Sequence, residues 1–259
     1  MTLGLLDLPA PLFDALDDLT ADLHIPVLLR ILAYACACAW IGMRVYRRFS
    51  DQPRLLALRA EIAAVQSALA RHDGRFAELG VLIRRNLSLS LRQLGLTLIP
   101  ALLASLPLLL VLPWLSNRFD YASPLPDTSV NVCVQPPNAA ATLHWQAAQA
   151  IAQESGCWCL IWPKAGEIAV LANVHGVVLH AFATPARSAF IYKYTKFNWL
   201  IGNPDGYLPA TATADRLAVT LRPREVFPAG PAWLRSWEIW YFGLLVLVSL
   251  TLKLRWRLR

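Results

Sequence analysis

Residues 94–115 read LGLTLIPALLASLPLLLVLPWL, with no charge anywhere in the stretch. About 20 mostly apolar residues cross the roughly 30 Å hydrocarbon core of a bilayer, so this run predicts a membrane span. Two more stretches qualify. Residues 25–43, IPVLLRILAYACACAWIGM, carry one charge, Arg30, and residues 237–254, WEIWYFGLLVLVSLTLKL, are clean from Ile239 to Leu252. Composition agrees: of 259 residues 56% are apolar and 16% charged, with a mean hydropathy of +0.43. A soluble domain carries about 25% charged and 45–50% apolar residues, so an ordinary cytosolic enzyme is a poor fit. Trp40, Trp114, Trp233, Trp237, Trp240 and Tyr241 fall near span ends, as an aromatic belt would.

Lysine and arginine in the short flanking segments set the orientation. Residues 1–24 hold five aspartates and no Lys or Arg; residues 44–93 hold ten Arg against four acids; the last seven residues, KLRWRLR, hold four bases. The expected topology is N-terminus out, 44–93 in, 116–236 out and C-terminus in. The first span then acts as an uncleaved reverse anchor, and the acidic N-terminus lacks the basic region of a signal peptide. The net charge of +7 is explained by Arg44, Arg47, Arg48, Arg84 and Arg85 beside the cytoplasmic leaflet, where each gains about 1 kcal/mol from anionic lipid. Specific nucleic-acid binding is the weaker reading of the same charge.

The connecting segments differ in pattern. In 1–24, leucines at helical spacing alternate with Asp14, Asp17 and Asp18, which reads as an acidic amphipathic helix at the outer surface. In 44–93, Leu55, Leu58, Ile62, Val65, Leu69, His72, Phe76 and Leu79 step by three and four, an a/d heptad seam. Gly74 reads as a hinge, giving an antiparallel coiled-coil hairpin over about 53–71 and 75–90; a single long helix through Gly74 is the alternative. His72 reads as a turn residue rather than a ligand. In 116–236, strands are expected at 129–135, 157–162, 168–173, 177–182, 190–193 and 216–221, a turn at 203–206 (NPDG), and a helix over 144–154 (HWQAAQAIAQE). The fold class is thus an α-helical membrane protein with three transmembrane helices, a cytoplasmic helical hairpin (44–93), an extracytoplasmic α+β domain (116–236) and a basic tail (255–259).

Chemistry is sparse. Cys36 and Cys38 sit in the first span as small apolar residues. Cys133, Cys157 and Cys159 face an oxidising compartment, where Cys133 with either Cys157 or Cys159 can form a disulfide and leave one thiol over. A metal site with His144, His175 and His180 has no recognised ligand spacing. No nucleotide loop, metalloprotease motif or nucleophile elbow is present in the sequence, so no cofactor, metal or enzymatic reaction is expected. Arg30 is the sharpest single residue. An intramembrane Arg is costly and faces a polar cavity or a partner unless it snorkels to the surface. A water-filled groove or a pairing with Glu238 would each satisfy it. Tyr34 shares its helix face, and Thr97 and Ser105 in the second span are placed to satisfy carbonyls freed by Pro100, Pro107 and Pro113.

This order of parts, over residues 25–115 and 233–259, resembles the YidC/Oxa/Alb membrane insertase superfamily. Its three-span form is similar to the branch containing the third subunit of the ER membrane protein complex and its archaeal relatives. The stretch NLSLSLRQLGLTLIPALLASLPLLLVLPWL (residues 86–115) is similar in character to the family's second core span. The resemblance implies a groove, open to cytoplasm and lipid, that lowers the cost of moving polar segments across the bilayer. Arg30 would line it with Tyr34, Thr97 and Ser105, and the hairpin would meet nascent membrane proteins or the ribosome. Arg30 lies nearer the outer end of its span than the family's groove arginine. The expected function is a membrane insertase or chaperone in a bacterial inner membrane. The alternatives are an assembly subunit docking through its periplasmic domain and third span, and a sensor or enzyme acting through that domain.

Overall fold

The computed structural model describes residues 4–73 and 76–256, and of residues 76 and 77 the backbone only. The expected hinge at Gly74, the Phe76 position of the seam and residues 257–259 of the basic tail lie outside what is described. In chain order the elements are α1 (Ala10–Asp22), α2 (Val27–Phe49), α3 (Gln52–Ala70), α4 (Phe76–Phe119), β1 (Tyr121–Ala122), β2 (Ser129–Gln135), β3 (Leu143–Gln146), β4 (Ala150–Gln153), β5 (Cys157–Ile161), β6 (Ile168–Asn173), β7 (Val178–Ala183), β8 (Phe190–Tyr192), α5 (Lys196–Ile201), β9 (Arg216–Val219), β10 (Arg222–Pro223), α6 (Ala232–Arg235) and α7 (Trp237–Arg255). Among the described residues three helices are long and apolar enough to cross a membrane: Val27–Phe49, Glu78–Phe119 and Trp237–Arg255. The chain forms two compact units, one from Met1–Arg30 with Leu109–Trp240, the other from Ile31–Leu108 with Tyr241–Arg259.

In the second unit, α3 starts where Asp51 caps it, its Oδ1 accepting the Arg54 N–H at 3.1 Å with Pro53 in the first turn, where a missing N–H costs nothing. The seam positions Leu58, Ile62 and Val65 are buried against Leu89 of α4, with Leu69 and Leu96 at the margin. The expected second arm does not stop at residue 90. It is the first part of α4, a single helix of 44 residues that runs on through Pro100, Pro107 and Pro113. Thr97 donates to the Gln93 and Leu94 carbonyls, and Ser105 to the Leu102 carbonyl. Prolines at 100, 107 and 113 free the carbonyls four residues back, at 96, 103 and 109, so these hydroxyls do not serve the role expected of them. Gly42 of α2 packs so tightly on α4 that a Cβ there would lie 2.8 Å from the Ala104 carbonyl oxygen.

In the first unit, two antiparallel sheets, ordered β4-β5-β2-β9-β8 and β3-β6-β7, share one core. The alternation of β2 decides its faces: Val130, Val132 and Val134 point inward, against Trp158 and Leu160 of β5 and Leu217 and Val219 of β9. Leu171 and Phe182 enter the same core from the second sheet. Cys133 and Cys157 face each other across the β2–β5 ladder on the opposite face and form a disulfide; Cys159 is free.

The helix expected over 144–154 is absent, and the helices of this domain are instead the short α5 and α6. The segment splits into β3, paired with β6, and β4, paired with β5. Ala147 takes a positive φ of 54° between them. Its alanines and glutamines are good helix formers, but two cross-strand ladders plus burial of Leu143 outweigh that local preference.

His180 of β7 is buried, its ring 4.6 Å from that of Phe182. Burial pushes its pKa down to about 4 from 6.5. The unfolded chain therefore binds the extra proton between these values. Stability is full above about pH 6.5 and is lost as the pH falls toward 4, by up to about 3 kcal/mol at about 1.4 kcal/mol per unit. Thermal unfolding of the full chain at pH 7.5 and pH 5 should show a lower midpoint in acid, largely abolished in His180→Phe. Equal pH sensitivity in the two proteins would place the effect elsewhere.

Candidate functional site

Arg30, the residue on which the groove reading turns, is buried and paired. Its Nη1 lies 2.8 Å from Asp17 Oδ1, with the Arg 8% and the Asp 1% exposed, and also donates to the Asp17 carbonyl at 3.1 Å. The partner is in α1 rather than at Glu238, which instead caps its own helix end with Ser236. Around this pair the first unit gathers a charge network. Arg118 Nε donates to Asp17 Oδ2 at 3.0 Å and its Nη2 to Asp18, and Arg187 Nη1 donates to Asp14 Oδ2 at 2.9 Å. Trp114 Nε1 donates to Asp14 Oδ1 at 2.9 Å, and its ring packs on Phe13. Arg224 stacks over Phe119 and donates to the Arg118 carbonyl. Its guanidinium is held below its usual pKa, first by burial and then by Arg30 and Arg118.

The sequence pattern explains why these groups meet. Asp14 and Asp17, three residues apart, share one side of α1. Arg30 lies one turn into α2 and Arg118 in the last turn of α4. A buried pair of this kind is tolerable because Asp17 is shared between Arg30 and Arg118 and Arg30 also reaches the Asp17 carbonyl, although its buried Nε has no hydrogen-bond partner. Of the groove residues expected from sequence, Arg30 is closed by Asp17, Tyr34 is partly buried, and Thr97 and Ser105 are bonded within their own helix. The basic residues Arg44, Arg47, Arg48, Arg84 and Arg85 are exposed, as a surface role requires, with Arg44 over the Trp40 ring and Arg47 over the Trp256 ring. Of the expected aromatic belt, Trp40 and Trp233 are exposed, Trp240 is half-buried, and the other three are buried. Trp114 and Trp237 are buried, and Trp237 and Trp240 donate to Asp120 and to the Leu234 carbonyl.

The first unit also holds a recess that no sequence motif announces. It measures about 470 Å³, and its walls include Asp120 and Tyr121 just past α4, Phe190 and Tyr192 of β8, Phe197 of α5, and Tyr207. Its polar groups already hold one another. Asp120 accepts from Ser116 and Trp237, and Tyr207 donates to the Asn198 carbonyl at 3.0 Å. Asp205 accepts the N–H groups of Arg187 and Ser188 and so shapes the rim. Burial raises the Tyr207 pKa to about 12, helped by Asp7 and Tyr194. The hydroxyl therefore stays protonated at neutral pH. The arrangement suits binding by aromatic contact. Its lining residues span positions 116 to 207, which is why only the folded chain reveals it. Among the described residues no group of three or more His, Cys, Asp or Glu is placed to hold a metal ion. No family model, curated protein or solved structure matches this chain.

Proposed function

We propose that this protein resides in a bacterial inner membrane and assists the insertion or assembly of other membrane proteins without a chemical step of its own. In this reading the N-terminus and the β domain are periplasmic, and the α3–α4 arm and the C-terminus cytoplasmic. The charge asymmetry of the flanks supports that orientation. The Cys133–Cys157 disulfide fits an oxidising compartment.

The observation that carries the reading is the arm itself. While α3 covers Leu89, the same stretch of α4 leaves Val81 66%, Leu87 58% and Leu91 58% exposed beside Arg84 and Arg85. Exposed apolar side chains on a polar arm mark an interaction surface, and hydrophobic segments of nascent membrane proteins are its natural clients. The α3–α4 pair then acts as a short antiparallel coiled coil, with the ribosome as the source of clients. The likeness of the part order to the YidC/Oxa/Alb superfamily supports the same reading. Arg30 is not assigned to client contact, because Asp17 already neutralises it.

A photocrosslinking probe at Leu87 in living cells tests this. The expected product is a spread of adducts with many nascent chains that disappears when translation is stopped. One or two discrete adducts that persist without translation would favour the second reading, a fixed subunit of a larger membrane complex. The aromatic recess and the exposed Trp233 of α6 would then be its docking features.

A further inference from the structure

We propose that α1 lies in the plane of the bilayer surface with its leucine face in lipid. This rests on the spans crossing a bilayer and is independent of the client-binding reading. The helix is inside out for a protein in water. Its Leu12, Leu16 and Leu19, and Leu5, Leu8 and Leu23 flanking it, are 39% to 66% exposed, while Asp17 on the helix and Asp7 ahead of it are 1% and 2% exposed. A helix packed against a protein in water turns its leucines inward, at about 25 cal/mol per Å² of apolar area buried. Here the acidic side is the one engaged, and no described residue covers the leucine side.

Three further observations say what does cover it. The acidic side is pinned to Arg30, at the start of α2, and to Arg118, at the end of α4. Both are span ends, so α1 sits at headgroup level. At about 1.5 Å per residue its 13 residues reach roughly 20 Å, too short to cross, and four residues join it to α2. Beside Arg30, Leu29 is also open, 55% exposed, whereas α4 is buried next to Arg118 and opens only about two and a half turns earlier, at Leu109, 50% exposed. The leucine face thus lies beside an open apolar side chain at the start of α2. It bears no lysine or arginine, and Asp18 and Asp22 are exposed at its edge. The attraction is therefore apolar burial at the headgroup–acyl boundary rather than attraction to anionic lipid. Because Asp14 also holds Arg187 next to the β domain, α1 would seat that domain on the membrane.

The test places a benzophenone amino acid at Leu12, Leu16 or Leu19 of the full-length protein in proteoliposomes and reads adduct masses after irradiation. Leu102, 58% exposed within the α4 span, is the lipid-facing control, and Ile151, 72% exposed on β4, the water-facing one. The expected result is phospholipid adducts at all three α1 positions, at yields near that of Leu102 and at least about tenfold above Ile151. In parallel, vesicles carrying a photoactivatable phospholipid should label the α1 peptide of the unmodified chain. Yields at the level of Ile151, or adducts to a second copy in place of lipid, would overturn the proposal.

Discussion

Asp17→Ala lowers the stability of the protein by about 3–5 kcal/mol, the range for removing one partner of a buried ion pair. The carboxylate faces Arg30 at 2.8 Å and Arg118 at 3.0 Å with almost no access to water. Its loss strands a guanidinium that is 8% exposed. The pairing itself contributes far less than that, since two charges were desolvated to make it. The double variant Asp17→Leu/Arg30→Met, which replaces both ions with apolar side chains of similar size, should therefore recover most of the loss. Chemical unfolding in mild detergent measures both. Equal stability of the single and double variants would show that Arg30 finds another partner once Asp17 is gone.

The second large effect comes from the disulfide. Cys133 and Cys157 lie 24 residues apart in sequence, and a loop of that length is worth about 3 kcal/mol through the entropy it removes from the unfolded chain. The bond sits on the face of the sheet away from the core, so serine at both positions leaves no cavity. Cys133→Ser/Cys157→Ser should unfold earlier by that amount, and dithiothreitol should move the wild-type midpoint onto the variant's. Both cysteines are changed together because Cys159 is free two residues further on and could exchange with a lone Cys133. Absence of any reductant effect on the wild type would sink this prediction. Trapping thiols in intact cells would also show whether the bond forms in place, which bears on the proposed orientation.

Much of this architecture was legible in the sequence because the physics behind it is local. A charge-free run such as 94–115 has few alternatives, and the strict alternation SVNVCVQ foretold β2 residue for residue. The seam residues Leu58, Ile62 and Val65 were identified from spacing alone. What failed was nonlocal. Residues 144–154 look helical in isolation and are strands only because β5 and β6 lie on either side to pair with them. The partner of Arg30 was sought in the other spans, although five aspartates stood in the 24 residues before the first span. The sign to heed was an acidic stretch next to a span carrying a lone cation. The aromatic recess had no such sign.

The order of the charge partners along the chain has a consequence for how the protein is made. Arg30 and Asp17 are 13 residues apart, so both have left the ribosome before the second span exists. The first span can enter the membrane with its cation already neutralised by the segment ahead of it. Arg118 and Arg187 emerge much later and find Asp17, Asp18 and Asp14 waiting. The N-terminal aspartates thus act first as an escort for one arginine and afterwards as the dock on which the ends of later segments are assembled.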